Sequence, residues 1–277
     1  DATAEALVEA LLDRGAEAYA WGLLTAIRSC VVSRYGEVGA RELARVVPLV
    51  QRLVHGELQQ AHEPGEGLRL AAAELAGLPA AQPFFEAAEG SWGAALAASA
   101  GELWEELRGQ EEADPALWTL AAPPQPVAAA SGNGAVDETG GWRVAGLVEH
   151  GRWLAAQGRF ERARGALEGL EELAPCSLGF VQVPGKGEVR VHQDSTNFVV
   201  SSLLPLAAEG SGPLRATLAV GAQQRELVAG ELVMFSQAFA HTLSNRSDRC
   251  LYALCLHFYH PGVGEVERYA LLLLSLL

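Results

Sequence analysis

The sequence predicts an α+β protein, with a helical N-terminal region followed by a strand-built core, and three observations carry that prediction. Apolar residues recur at helical spacing through the first sixty positions. After Cys176 the period changes to short alternating runs separated by Gly-Lys-Gly, Glu-Gly-Ser-Gly and Asn-Arg-Ser-Asp. The composition, 49% hydrophobic and 19% charged, is that of a chain able to bury a core.

Residues 4–33 place Leu7, Leu11, Leu12, Ala18 and Leu23 on helical spacing, and Tyr35-Gly36 is the expected stop. Ala40 to Gln60 reads as a second amphipathic helix that Pro48 would kink or split. His62-Glu63-Pro64-Gly65 reads as a loop and Leu68 to Leu78 as a short helix. A boundary falls at Pro79 to Phe84, so the expected units are a helical region over 1–80 and a second domain over 81–277. In that second domain a helical layer (84–175) precedes a β-core (176–261). Helices are expected over Trp92 to Gly109 and Ala163 to Leu173, with a long surface loop over 111–141. Six runs read as strands: Phe180 to Val183, Glu188 to His192, Asn197 to Leu206, Leu214 to Val220, Glu231 to Phe235 and Cys250 to Tyr259. That number of short strands with turn signals predicts a sandwich or jelly-roll barrel.

Charge narrows the function. With 34 Asp plus Glu against 20 Lys plus Arg, the net charge is −14. Nucleic-acid binding and adhesion to an anionic membrane both need clustered cations, so neither is expected. Tyr269 to Leu277 is about half the apolar length a bilayer requires. The chain opens at Asp1 without a leader-like segment, and a longer or processed natural form is expected. Four scattered cysteines, none in CxxC spacing, indicate neither a zinc ribbon nor a disulfide framework. The compartment stays open.

The most informative string is Val191-His192-Gln193-Asp194. Residues two apart on a strand share a face, so an imidazole and a carboxylate converge. With His241 from another strand they would form a two-histidine, one-carboxylate metal set with open positions, the pattern of non-haem Fe(II) oxygenases.

Around these residues the chain resembles the aspartyl/asparaginyl β-hydroxylases. Pro184-Gly185 leading to His192 and then Thr196-Asn197 is similar to that family's first metal-binding segment. Gly230-Glu231 leading through Phe235 to Phe239-Ala240-His241 is similar to its second, and Tyr259-His260-Pro261 ends the core as in that family. The resemblance covers about residues 84–268. It implies a double-stranded β-helix (jelly-roll, cupin-like) core and an Fe(II)- and 2-oxoglutarate-dependent dioxygenase. The enzyme would hydroxylate an Asp- or Asn-type side chain in a protein, peptide or small molecule, with dioxygen as co-substrate. His192 and His241 carry over as iron ligands. Asp194 stands where the family commonly has Gly. Either it restores the wider superfamily's ligand set, or it points elsewhere and holds a water or His192.

The departures concern 2-oxoglutarate. Where the family places its carboxylate-anchoring Arg this chain has Leu251, and Arg249 is the nearest cation. Where the family has Arg-Leu-Arg-x-His this chain has Val199 to Leu203, with Ser201 a remaining polar group. Arg190, two residues before His192, and Arg249 are the replacement candidates, and Ser201 joins them as a co-substrate-binding candidate. Arg215, Arg225 and Arg246 are further cations near the core. Burying two carboxylates without cations is costly. The alternatives are therefore a same-fold iron enzyme that does not use 2-oxoglutarate, or a binding module without catalysis. His257 and His260 read first as core or turn residues, and Trp142 and Trp153 as packing between helical layer and barrel.

Overall fold

The computed structural model describes residues 2–55, 59–63, 67–71, 74–79, 82–86, 92–120, 141–149, 152–154, 159–168, 175–193, 196–207 and 214–275. Helix α1 (Ala2–Ala40) breaks at Gly36, which takes φ 72°, ψ −179°, where the sequence places the stop. A 3₁₀ turn (Arg41–Arg45) leads into α2 (Val46–His55). Pro48 falls in the first turn of α2, where its missing N–H costs no helical bond, so no kink is needed.

The expected helix over Leu68 to Leu78 is not formed. Strands β1 (Gln59–Glu63) and β2 (Gly67–Ala71) pair as an antiparallel hairpin, and 74–79 is irregular. Pro64, Gly65 and Gly67 disfavour helix initiation there, and strand pairing satisfies the backbone instead.

The core follows one alternation. Taking β7 (Pro175–Val183), β8 (Glu188–His192), β9 (Val199–Ala207), β10 (Ala216–Val220), β11 (Gln223–Leu227), β12 (Val233–Ser236), β13 (His241–Asn245) and β14 (Leu251–Tyr259), the smaller sheet has the order β11-β10-β13-β8. The larger contains β12-β9-β14-β7 and continues through β5 (Arg143–Glu149) to β4 (Thr119–Leu120). Apart from the β10-β11 hairpin, the chain crosses between sheets at every step. Two four-stranded faces interleaved in this way are a double-stranded β-helix. Strand β3 (Phe84–Phe85) extends the larger sheet beyond β12, and β6 (Arg152–Trp153) pairs with β5.

The larger sheet is buried on both sides. One face contributes Val181, Leu203, Phe235 and Ala253 to the barrel interior. The other packs Phe180, Leu204, Leu254 and Leu256 against Leu103 and Leu107 of α4 (Ala100–Ala113) and Ala163 of α5 (Glu161–Glu168). Helix α3 (Trp92–Ala98) joins that layer, separated from α4 by a turn at Ser99. Trp153 belongs to the same layer, under the Arg164 guanidinium. Most of the expected 111–141 loop lies outside the described residues, as does the segment 169–174 that follows α5.

The C-terminal run folds back as α6 (Glu265–Ser275). Its Val266, Ala270 and Leu271 pack with Ile27, Leu43, Leu49 and Val50 of the N-terminal helices. Arg45 donates through Nε to Glu267 Oε1 at 2.7 Å and also pairs through Nη2 with the same buried carboxylate. Among the described residues no helix is long and apolar enough to cross a membrane.

Candidate metal centre

The barrel has a closed end and an open end. At the closed end, the β7–β8 turn at Pro184–Gly187 lies against the β13–β14 turn. A Cβ on Gly185 would sit 2.6 Å from the Asp248 carbonyl carbon, so only glycine fits. Asn245 fastens the two turns: its buried amide donates to Val183 O (3.1 Å), Pro184 O (3.0 Å) and Arg249 O (2.6 Å). At the open end, His192 finishes β8 and His241 begins β13, directly across from it.

The two imidazoles have ring centroids 4.1 Å apart. His192 Nδ1 lies 2.8 Å from Arg190 O, and His241 Nδ1 lies 2.9 Å from Phe239 O. A carbonyl only accepts, so each Nδ1 carries a proton, and in the neutral ring the lone pair is then on Nε2. This is the tautomer a metal-ligating histidine needs. His241 is buried, with the Phe235 ring edge-on at 5.2 Å.

Strict strand alternation does not hold at this point. Between the pairs His241–His192 and Leu243–Val189, β8 carries one residue more than β13. This β-bulge turns His192 onto the interior face it shares with Val189 and leaves Arg190 exposed. Arg190 therefore does not face the cavity with His192, as period-2 alternation predicts. Asp194 lies outside the described residues. Among the described residues no three His, Cys, Asp or Glu side chains gather as a metal site.

Both histidines line a cavity of about 520 Å³ inside the barrel. Its wall on the larger sheet is ordered in cross-strand rows. Nearest the open end, Glu149, Ser177, His257 and Ser201 are successive partners across β5, β7, β14 and β9. The next row, Gly146, Gly179, Cys255 and Leu203, owes its space to two glycines without side chains. Beyond it the wall is Val144, Val181 and Val183. On the smaller sheet, the histidine row gives way to Val189, Leu243 and Leu218.

Ser201 is 1% exposed, and its hydroxyl has no hydrogen-bond partner among the described residues. Cys255 Sγ and His257 Nε2 are 3.3 Å apart. Trp142 packs against the barrel interior cluster and also lines the cavity, a second role beside the expected packing. His257, which the sequence reading places in the core or a turn, lines the cavity too. The polar positions Ser201, Cys255 and His257 on otherwise apolar strands were the available signal for this wall.

No Arg or Lys lines the cavity among the described residues. Arg249 sits in the bend before β14, its carbonyl engaged by Asn245, and does not line it. Leu251 is fully buried in the barrel interior, so the place expected of an anchoring cation is hydrocarbon. Arg225 pairs with Glu86 and stacks over Phe84; Arg215 and Arg246 are exposed.

The open end is braced from outside the barrel. Asn197 accepts the Leu75 N–H (2.8 Å) and donates to Leu75 O (3.2 Å), tying the segment after His192 to residues 74–79. Phe198 and Tyr259 pack among the N-terminal helices and α6.

Comparison with known folds finds partial likenesses. A Pseudomonas putida prolyl-4-hydroxylase matches at 16% identity over 60% of this chain and 88% of its own, with TM-score 0.36. A predicted oxalate decarboxylase from Thermotoga maritima matches at 11% identity, 44% and 83% coverage and TM-score 0.29. The cupin domain of Schizosaccharomyces pombe Cnp3 matches at 12% identity over 43% of this chain and 65% of that one, with TM-score 0.28. No curated protein matches the sequence. The aspartyl/asparaginyl β-hydroxylase family model matches residues 110–261, just over half of the 277 residues. The match spans the double-stranded β-helix and both histidines: the chain belongs to the aspartyl/asparaginyl β-hydroxylase family.

Proposed function

We propose that this protein is an Fe(II)-dependent oxidoreductase of the hydroxylase family whose iron is held by His192 and His241 and whose cavity takes an uncharged substrate in place of 2-oxoglutarate. The observation that carries the reading is the paired imidazoles. Each has Nδ1 against a carbonyl, and the two rings stand side by side, from adjacent strands, on one cavity wall. Two neutral histidines fit a divalent iron, and Asp194, two residues beyond His192, is the candidate third ligand. Iron held there would supply a site for dioxygen.

The fit to 2-oxoglutarate fails on charge. Two carboxylates would enter a cavity whose described lining has no cation and carries the carboxylate of Glu149. The same argument disfavours an aspartyl side chain as substrate and leaves uncharged groups. Without 2-oxoglutarate to accept one oxygen atom, the reaction balances when both atoms of dioxygen enter the substrate. The protein's own contribution is positional. Phe235 packs against His241 and shields it from water, while Ser201 and Ser177 offer hydroxyls to orient a polar group.

The test is anaerobic Fe(II) loading, followed by nitric oxide as a dioxygen surrogate and, separately, by 2-oxoglutarate. Expected are one iron per chain, an S = 3/2 nitrosyl signal that is lost in His192→Ala, and no visible charge-transfer band with 2-oxoglutarate. Failure of the unaltered protein to bind iron overturns the metal assignment. A 2-oxoglutarate band restores the family's usual co-substrate, and its loss in His257→Ala would put the carboxylate on the Ser201–His257–Ser177 row.

A further inference from the structure

We infer that the closed half of the cavity binds the hydrocarbon body of a neutral substrate bearing one hydrogen-bonding head, with the head on the Ser201–His257–Ser177 row beside the histidine pair. This rests on the preceding reading for what the histidines do, and on the cavity wall alone for what the ligand is. Polarity along the cavity is graded by register. The open end presents histidines on one sheet and Ser177, His257 and Ser201 on the other; the closed half presents Val181, Val183, Leu218 and Leu243. A cavity of about 520 Å³ with an apolar wall and a few convergent polar groups has the size and lining of a small-molecule site.

The head group is constrained on two sides. The unpartnered Ser201 hydroxyl, 1% exposed, gains a hydrogen bond when a ligand hydroxyl or amide reaches it. Glu149, at the end of the same row, opposes an anion. The body is constrained by the far wall: Val183 lines it and its cross-strand partner Leu251 is fully buried behind, so the end facing an extended ligand is aliphatic.

The experiment is calorimetric titration of metal-free and of anaerobically Fe(II)-loaded protein with n-butanol, n-hexanol and n-octanol, with glutarate as the dicarboxylate. Affinity should rise about three- to fourfold per methylene, with a negative heat-capacity change, and glutarate should give no binding. Leu218→Phe, which fills the apolar half, should cost octanol about tenfold and leave butanol unchanged. Ser201→Ala should weaken every alcohol by about fivefold without altering the slope. Glutarate binding, or an alcohol series with no chain-length dependence, overturns the inference. If alcohols bind as expected while iron does not bind at all, the metal reading fails and this one stands. Iron binding with a flat alcohol series does the reverse.

Discussion

The two ends of the barrel are each fastened by one asparagine, and they differ in where the fastening comes from. At the closed end, Asn245 on β13 holds carbonyls of β7, its turn and the segment before β14. All of these lie within residues 110–261, the span matched by the family. At the open end, Asn197 grips Leu75, outside that span, and Phe198 and Tyr259 bury themselves in helices from both chain termini. The closed end is therefore self-contained. The histidine-bearing end leans on Leu75 and on the packed helices near both ends of the chain. The difference predicts that stability and site geometry are held by separable contacts.

The largest expected effect breaks the closed end. Asn245→Ala removes the amide from Val183 O and the acceptor of the Ser247 N–H, while Pro184 O keeps the Gly187 N–H and Arg249 O keeps the Ser247 hydroxyl. At about 1–3 kcal/mol for each group left unsatisfied, the loss should be about 3–5 kcal/mol in urea unfolding. The fraction still folded should bind metal normally. A matching loss of metal affinity would show that the ends are coupled.

At the open end, His192→Ala and His241→Ala should each lower Fe(II) or Co(II) affinity about 100-fold or more. Stability of the metal-free protein should fall far less than for Asn245→Ala. The check is a competitive chelator titration beside the same urea series. A large stability loss for His192→Ala, whose ring is only partly buried, would make it a structural residue.

How much of this was legible follows the same division. The closed end could be read from residues alone: Gly185-Lys186-Gly187 after Pro184 signals a turn, and the structure adds that a side chain at 185 would strike Asp248. Strand β8 also begins and ends where its alternation says, at Glu188 and His192. At the open end the histidine pair was visible as two motifs, but its facing was not. The bulge between Val189 and His192 depends on pairing with β13, so local periodicity put Arg190 on the wrong face. The polar row was hidden for a related reason. Ser201, His257 and Ser177 are far apart in sequence and meet only through the register of three strands. The short helix expected at 68–78 failed because the hairpin offered its backbone a nearer partner.

A milder change tests the brace. Asn197→Ala removes both contacts with Leu75, at a position five residues after His192. The expected result is about a tenfold loss of metal affinity with a stability cost of about 1–2 kcal/mol. Asn197→Asp, which keeps the acceptor for the Leu75 N–H, should recover part of each. If metal affinity is unchanged while stability falls, the helical unit supports the fold without shaping the site.

The smallest effect is a pH dependence confined to the open end. His260 follows β14; its backbone N–H donates to Phe198 O at 2.8 Å, and its Nδ1 accepts the Gly262 N–H at 2.9 Å. Burial holds its pKa below the ordinary histidine value, because the charged form is poorly solvated there. An Nδ1 that accepts a hydrogen bond must also give it up to become protonated. The sign follows from linkage: the stabilisation is complete above the unfolded-state value of about 6.5 and is lost as pH falls through the lowered folded-state value. The urea midpoint of the unaltered protein should therefore drop between pH 7.5 and 5.5. His260→Asn can present an amide oxygen to Gly262 and does not titrate, so its midpoint should drop less over the same interval. Carboxylates common to both proteins cancel in that difference. Since His260 joins β14 to the segment after His192, the residual slope measures how firmly the open end is held when its own internal contacts are intact.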